Sequence, residues 1–341
     1  MDLKQLCFSL AQKAGTSGDE REAAEYAKEL LSEYIPCEID RLGSVRGTMG
    51  QGSVHILLDA HIDQIGMVVR AIDEKGFLLI DKVGGTDLRV LTGAEVTVHG
   101  KEKLFGVISS VPPHLQKGDS SKESLDIKTM AVDIGYDKDS AEKLVEIGDR
   151  VTLRCHQCEL AGDKISSGVL DDRCCVAVIL RALEMTKGQL NNIKVSVLFS
   201  SQEETNGGGA KTGAYSLMPD LAIAVDVGFG DDPYTDKTQT VKLGGGASIG
   251  IAPTLDRAMT NELINLAKEK NIPYQNDVMG SRTGTNADSI NVTGSGVKTA
   301  LLSVPLRYMH TGSEIISLSD IENTARLIAQ YLLKKEAECN A

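Results

Sequence analysis

Hydrophobic and polar positions follow an α/β pattern at the start of the chain. Apolar residues recur at helical spacing from Ala23 to Tyr34, and a capping-box sequence at residues 17–20 predicts where this first helix begins. Short apolar runs at Ser44–Gly47 and Val54–Leu58 then indicate two strands. The opening segment therefore predicts one amphipathic helix followed by buried strands.

The helical pattern is lost between about residues 68 and 161. Gly, Asp and Pro separate short strand candidates there, which is typical of a small β-barrel or sandwich. A polar, charged segment from Ser110 to Asp126 contains Pro112-Pro113-His114 and predicts an exposed loop. The strand candidates are Phe77–Ile80, Glu95–His99, Leu104–Ser109, Met130–Ile134 and Arg150–Arg154.

The α/β pattern returns at Gly162. A buried helix is predicted at Cys174–Met185, and a second capping box at Ser319 predicts the start of a C-terminal helix. Between them, the pattern predicts buried strands at Ile193–Phe199, Leu221–Val227 and Thr299–Val304 and an amphipathic helix at Leu255–Lys270. We therefore expect one α/β domain, residues 1–67 and 162–341, interrupted by a β domain of residues 68–161.

The net charge and the cysteine count limit which partners and which cellular compartment the protein is expected to have. The 341 residues include 48 acidic and 36 basic side chains, and the net charge of −12 argues against nucleic acid or an anionic membrane as partner. We expect no membrane span and no signal peptide. Seven cysteines, an odd number, fit the reducing cytoplasm. Cys155-His156-Gln157-Cys158 could be half a zinc site or a redox pair, but reduced thiols on a strand are the favoured interpretation.

Potential metal ligands recur where the apolar strands and the buried helix of the α/β part begin or end. His61 and Asp63 follow an apolar strand and project to the same side, so the carboxylate can orient the imidazole of a metal-binding histidine. Sites in open α/β sheets form beyond the carboxyl ends of the strands. The other candidates at such positions are Asp171 with Asp172, the pair Glu203-Glu204, Asp226 and His310.

Helix caps and salt bridges could explain each of these residues alone. They explain the whole set poorly, because carboxylates at the ends of buried strands are costly unless they are paired or bound to a cation. Two histidines and three carboxylates suit a pair of divalent ions that share one bridging carboxylate. We therefore predict two divalent metal ions per chain, zinc or cobalt or else manganese.

In this order, the motifs resemble those of one family of dinuclear metalloaminopeptidases, which includes the glutamyl, deblocking and tetrahedral aminopeptidases. The similarity covers essentially the whole chain, including the β-rich insertion. It is carried by His61-x-Asp63, Leu170-Asp171-Asp172-Arg173, Gln202-Glu203-Glu204, Asp226 in its apolar strand and Arg307-Tyr308-Met309-His310, with Pro112-Pro113-His114-Leu115 and Gly209-Ala210-Lys211-Thr212 as further matches.

The resemblance implies an α/β/α metallopeptidase catalytic domain, interrupted by a small inserted β-barrel that serves for dimerisation. The implied activity is the removal of N-terminal residues from peptide substrates by a metal-activated water, in dimers that assemble into shells of twelve subunits. Glu203 would be the general base, and Asp63 would orient His61. The implied ligands are His61, Asp171 and Asp226 for one ion, and His310, Glu204 and the bridging Asp171 for the other.

The chain departs from the family pattern at three places without losing a ligand. Gln64 stands where an acidic residue is expected, Thr205-Asn206-Gly207 replaces Val-Gly-Leu, and Asn286 replaces the Asp of Thr-Asp-Ala. These departures bear on substrate preference and metal affinity.

Two other functions fit the same residues. One is a different amide or acyl hydrolysis on the two ions, such as deacylation of a small amino-acid conjugate. The other is a non-catalytic assembly protein that keeps its metals for stability, although retention of Glu203 beside Glu204 favours an enzyme.

Arg282, in a Gly-rich loop, could select an acidic first residue, but a solvated arginine is the simpler interpretation. Acidic, basic and aliphatic preferences for the first residue therefore all stay open.

Overall fold

The computed structural model describes residues 1–109 and 126–340, so the predicted loop between Ser110 and Asp126 lies, except for Asp126, outside the described residues. The strands are β1 (Cys37–Ile39), β2 (Val45–Met49), β3 (His55–His61), β4 (Gly66–Ile72), β5 (Leu78–Val83), β6 (Glu95–His99), β7 (Lys103–Ser109), β8 (Ala131–Asp133), β9 (Arg150–Leu153), β10 (Cys158–Glu159), β11 (Lys164–Ser167), β12 (Lys194–Ser200), β13 (Leu221–Phe229), β14 (Ala247–Ile251), β15 (Tyr274–Val278), β16 (Lys298–Leu306) and β17 (Glu314–Ser317). The α-helices are α1 (Leu3–Ala11), α2 (Arg21–Ser32), α3 (Lys138–Leu144), α4 (Leu170–Met185), α5 (Glu203–Asn206), α6 (Gly208–Leu217), α7 (Arg257–Glu269), α8 (Ala287–Ile290) and α9 (Leu318–Cys339).

Eight strands form a mixed sheet in the order β1-β2-β12-β3-β13-β16-β14-β15. The central strands β12, β3, β13 and β16 run parallel to one another, and antiparallel neighbours flank them on both sides. These four strands are buried along nearly their whole length, which explains why their sequences are continuous apolar runs. Because they are parallel, their carboxyl ends meet at one edge of the sheet.

Helices cover both faces of this sheet. Alternate residues of β13 project to opposite sides, with Ile223 and Val225 in the larger core beneath α1, α4, α7 and α9. Ala222 and Ala224 face a smaller core beneath α6 and α8. The predicted three-layer α/β/α architecture is confirmed.

Six antiparallel strands close a barrel in the order β4-β5-β8-β7-β6-β9. The barrel has its own apolar core, which includes Met67, Ile80, Val98 and Val132. Its strands lie in the chain between β3 and β10, so an inserted small β-barrel is confirmed as part of the fold. The remaining strands form a three-stranded sheet, β10-β11-β17, beside the main one.

Helices α2 and α9 begin close to the predicted positions, but the predicted caps and the order of the first helix are wrong. Helix α1 precedes the helix that the pattern predicts as the first. Neither predicted capping box forms, since α2 follows Glu20 and α9 follows Ser317 without a side-chain cap. Asp320, expected in the second box, instead accepts hydrogen bonds from the backbone N–H groups of Gly244 and Gly246, 2.7 Å away in each case. A side chain that resembled a helix cap in the sequence thus forms hydrogen bonds with a distant part of the chain instead.

All seven cysteines are free. The interpretation of Cys155 and Cys158 as thiols on a strand is half right, because Cys158 begins β10 whereas Cys155 lies between β9 and β10.

Within residues 1–109 and 126–340, none of the helices combines the length and the apolarity needed to cross a lipid bilayer.

Candidate metal centre

The strand ends bring all five predicted ligands together. His61 is the last residue of β3, and Asp226 lies near the end of β13. Asp171 opens α4, Glu204 lies in the short α5 that follows β12, and His310 follows β16. The ligand atoms fall into two groups, each within 4.8 Å: His61, Asp171 and Asp226 in one, and Asp171, Glu204 and His310 in the other.

Asp171 lies between the two histidines. Nε2 of His61 is 3.2 Å from Oδ1 of Asp171 and 3.9 Å from Oδ1 of Asp226. Nε2 of His310 is 3.4 Å from Oδ2 of Asp171 and 3.4 Å from Oε1 of Glu204. Each oxygen of Asp171 thus faces a different histidine, as expected of a carboxylate shared by two cations. Imidazole nitrogens and carboxylate oxygens are also the donors that zinc-like divalent ions accept.

The centre is buried and rich in acidic groups. Burial raises the pKa of Asp226 well above its ordinary value. Burial also acts to raise the pKa of Asp171, but hydrogen bonds from His310 and His61 outweigh it and lower this pKa. The hydrogen bond between His310 and Asp171 is the main cause that raises the pKa of His310 to about 11, and the hydrogen bond with Glu204 adds to it. Buried carboxylates arranged in this way favour a cationic partner, which a divalent ion supplies.

The second ring nitrogen of each ligand histidine is also engaged. Nδ1 of His61 lies 3.2 Å from the backbone oxygen of Asp63 and 3.5 Å from its Oδ1. Nδ1 of His310 lies 3.1 Å from the backbone oxygen of Gly85, in the loop that follows barrel strand β5. Such contacts fix the orientation of a metal-binding ring. The inserted barrel therefore contributes directly to the centre.

Asp63 has a second contact that the sequence did not predict. Its Oδ1 and Oδ2 accept hydrogen bonds from the backbone N–H groups of Glu203 and Glu204, each 3.0 Å away. Asp63 is fully buried, so these charge-assisted bonds form in a low-dielectric setting where they are strong. Asp63 therefore positions both the Glu pair and His61.

The two adjacent glutamates have different surroundings. Glu204 belongs to the second ligand group, whereas Glu203 belongs to neither group and lines the adjoining cavity. Burial raises the pKa of Glu203 to about 7. A carboxyl group that titrates near neutrality in a cleft is suited to moving protons.

Strained backbone surrounds the ligands. Val169, Gln202, Tyr308 and His310 all have left-handed conformations, with φ between 60° and 63°. Such values are uncommon outside glycine and cost most at a β-branched residue such as Val169. Each of these residues is a predicted ligand or lies within two positions of one. The strained backbone is therefore found beside the predicted ligands.

Glu314 is a site residue that the sequence reasoning missed. It is 2% exposed, and its Oε2 accepts hydrogen bonds from the backbone N–H groups of Leu170 at 2.8 Å and Asp171 at 3.1 Å. Its Oε1 accepts from the N–H of His310 at 3.0 Å. Glu314 thus joins the two ligand-bearing segments. Its signal was a carboxylate opening an apolar strand, β17, which is the kind of signal that identified Asp226.

The two residues that follow Asp171 support the end of β3. Oδ2 of Asp172 accepts a hydrogen bond from the backbone N–H of His61 at 3.1 Å. The guanidinium of Arg173 donates to the backbone oxygens of Ile62 at 2.6 Å and Leu10 at 2.8 Å. The sequence presents both residues only as members of a motif, while the structure shows that they hold the strand that carries His61.

The departures from the family pattern surround the centre without supplying a ligand. The side-chain amide of Asn286 donates to the hydroxyl of Ser200 at 2.8 Å. The hydroxyl of Thr205 lies 3.0 Å from that of Ser17, and Gln64 is buried. None of these residues belongs to either group of predicted ligands.

A cavity of about 1090 Å³ opens onto the centre. All five residues that form the two groups line it, together with Glu203. Segments around residues 228–240 and 277–285 contribute further lining residues. The space is large enough to admit the end of a peptide chain.

This fold and this centre place the chain among the metal-dependent peptidases. The sequence model of the M42 glutamyl aminopeptidases matches residues 43–327. The chain belongs to the M42 glutamyl aminopeptidase family.

Individual relatives agree with this assignment. A lysyl aminopeptidase of Pyrococcus furiosus is 30% identical over 305 residues, which span 87% of this chain and 86% of the relative. The structure of a TET aminopeptidase from a marine sediment archaeon, a thaumarchaeote, superposes with a TM-score of 0.94 at 28% identity over 99% of both chains. The TET1 peptidase of Pyrococcus horikoshii, described as able to assemble into a tetrahedron or a large octahedral shell, gives a TM-score of 0.86 at 30% identity, over 97% of this chain and 99% of that one.

Proposed function

We propose that the protein is a dinuclear metalloaminopeptidase that removes N-terminal residues from peptides. One observation carries the proposal: two ligand groups share Asp171, and Glu203 faces the same cavity without belonging to either group. The ions would be zinc or cobalt, or else manganese. The proposed ligands are His61, Asp171 and Asp226 for the first ion and Asp171, Glu204 and His310 for the second.

In the proposed reaction, Glu203 carries the proton. Bound divalent ions supply Lewis-acid chemistry, lowering the pKa of water and polarising the scissile carbonyl. Glu203 takes the proton of the attacking water and then passes it to the leaving amine. Burial raises the pKa of Glu203 above that of an ordinary glutamate, which favours proton transfer in both directions. Asp63 holds this carboxylate in place through the backbone N–H of Glu203.

Restriction to the first residue would follow from the free α-amino group of the substrate. This group would be anchored at one of the two ions through its nitrogen lone pair, and an ordinary pKa of about 8 leaves part of the group unprotonated near neutral pH. An acylated N-terminus offers no free amine and is bulkier, so it should be excluded.

The experiment compares a free aminoacyl substrate with its N-acetylated counterpart, before and after chelator treatment and re-addition of metal. The proposal predicts hydrolysis of the free substrate alone, its loss with chelator and its recovery with metal. Cleavage of the acylated substrate would favour the deacylase alternative. Metal binding without turnover of either substrate would favour the assembly protein.

We further propose that residues 68–161 form a dimerisation domain and that dimers build shells of twelve subunits. Large apolar side chains are exposed on this segment, including Phe105 at 51% and Ile147 at 73%. Exposed apolar side chains of this size favour burial against another protein surface. The assembly described for the horikoshii relative supports the same proposal.

A further inference from the structure

The cavity beside the centre contains a carboxylate that takes no part in metal binding, that of Asp277. It lies on β15, and its partner in the sheet register is Gly250 of β14. Its Oδ2 is 3.6 Å from the position that a Cβ atom would occupy on Gly228. Burial raises the pKa of Asp277, and no other group contributes to this shift. Within the described part of the chain, no side chain forms an ion pair with it. Asp277 therefore presents an unpaired, half-buried acidic group to the cavity.

The distance from this group to the centre matches one amino-acid side chain. Gly228 follows the ligand Asp226 by two residues on β13, so both face the same side of the sheet, about 7 Å apart. An extended lysine side chain reaches roughly 6 Å from Cα to its ammonium group, given standard bond lengths. A substrate whose α-amino group and first carbonyl lie at the centre could therefore place its first side chain against Asp277.

Small residues lie between the centre and Asp277 along the cavity. Gly228 has no side chain, and its nearest neighbour is the small Ser303, whose Cβ is 3.2 Å from the position of an added Cβ on Gly228. Both the ligand Asp226 and Asp277 line the same cavity as Gly228 and Ser303. A long, unbranched side chain can therefore lie along these small residues.

Other charged residues that line the cavity are hydrogen-bonded within their own loop or exposed to solvent. Oδ1 of Asp232 accepts the backbone N–H of Tyr234, and Oδ1 of Asp236 accepts that of Thr238, so both are used within their own loop. Arg282 also lines the cavity but is exposed to solvent. A half-buried charge acts more strongly on a bound group than an exposed one, because water screens the latter.

We propose that Asp277 determines the specificity of this site and selects substrates whose first residue is lysine or arginine. The inference rests on the proposed aminopeptidase function for the position of the first residue. An ammonium or guanidinium group would form a charge-assisted hydrogen bond with the Asp277 carboxylate. An aliphatic side chain would bury that carboxylate without a partner, and an acidic one would add a like charge.

The test compares kcat/KM for lysyl, arginyl, norleucyl, leucyl and glutamyl aminoacyl amides in the wild type, Asp277→Asn and Asp236→Asn. Norleucine has the stem of lysine without its amine, so the ratio of lysyl to norleucyl isolates the charge. We expect this ratio to be on the order of 10² in the wild type, to fall close to one in Asp277→Asn and to be unchanged in the control Asp236→Asn. A wild-type ratio near one, or a ratio that survives in Asp277→Asn, would overturn the inference. A preference for glutamyl that disappears in Arg282→Gln would assign the specificity to Arg282 instead.

Binding of free amino acids separates this inference from the proposed function. Calorimetric titration of L-lysine and L-norleucine into the metal-loaded wild type and Asp277→Asn requires no turnover, and thermal unfolding reports whether the variant is folded. We expect lysine to bind more tightly than norleucine in the wild type alone. If no aminoacyl amide is hydrolysed, the proposed function fails, and this binding preference still decides the role of Asp277. Equal or undetectable binding of the two amino acids, together with no lysyl preference in hydrolysis, would refute it.

Discussion

Replacing Glu314 with glutamine should weaken metal binding without removing a ligand. The carboxylate accepts three backbone N–H groups, those of Leu170, Asp171 and His310. Burial raises the pKa of Glu314, yet both of its oxygens serve as acceptors, as in the ionised form. A glutamine has one acceptor oxygen, so at least one N–H, such as that of His310, would face an amide donor.

The size of the effect follows from the lost bond. A hydrogen bond to a charged group contributes about 1.5–3 kcal/mol, so the free energy of unfolding should fall by about 2–3 kcal/mol. Loss of an outer contact of this kind typically lowers metal affinity about 10–100-fold. This corresponds to about 1.4–2.8 kcal/mol, which agrees with the value from the lost bond.

The assay is competition for metal against a buffered chelator, followed by elemental analysis, with thermal unfolding measured in parallel. Glu336→Gln is a matched control, because Glu336 is also a buried carboxylate that accepts backbone N–H groups, those of Asn192 and Ile193. These residues precede β12, at the end of the sheet opposite the centre. The control should lose stability and keep its metal affinity. Wild-type affinity in Glu314→Gln, or an equal loss of affinity in both variants, would refute the role assigned to Glu314.

Three further changes test other parts of the account. Asp171→Asn should lower metal content and activity together, and unchanged metal stoichiometry by elemental analysis would contradict a shared ligand. Gly85→Ala should weaken the second ion selectively, because the added Cβ would lie 2.7 Å from Nδ1 of His310; a metal titration showing two ions of wild-type affinity would contradict this. Phe105→Glu combined with Ile147→Glu should reduce the assembly size measured by light scattering, and an unchanged size would place the interface outside this part of the barrel.

The residues at strand ends could be predicted from the sequence, because their signal is local. His61 and Asp226 each follow a run of buried, mostly apolar residues, and the parallel strands bring such ends to one edge of the sheet. A polar residue at the end of an apolar run is visible without knowledge of its neighbours. The hydrophobic pattern also predicted an α/β domain with a β-rich insertion, whereas the three layers were implied by the family resemblance.

The residues that hold the ligands could not be predicted in the same way, because they act through distant backbone groups. Glu314 accepts from the N–H of Leu170, 144 positions away in the chain, and Gly85 accepts from His310 across 225 positions. Every residue type has a backbone oxygen, so the contact made by Gly85 cannot be recognised from the sequence. Glu20 likewise resembles part of a helix cap, but its carboxylate accepts the backbone N–H of Gln202, beside the Glu pair.

The central claim is that Glu203 moves the proton while the adjacent Glu204 binds metal. Metal content and kcat, measured side by side for Glu203→Gln and Glu204→Gln, test it most directly. Glu203→Gln should retain both ions and lose about 10²–10⁴ in rate, as expected when a general base is removed. Glu204→Gln should lose metal first, and excess metal should restore part of its activity. Loss of metal in Glu203→Gln with a full complement in Glu204→Gln would reverse the two roles and contradict the proposed mechanism.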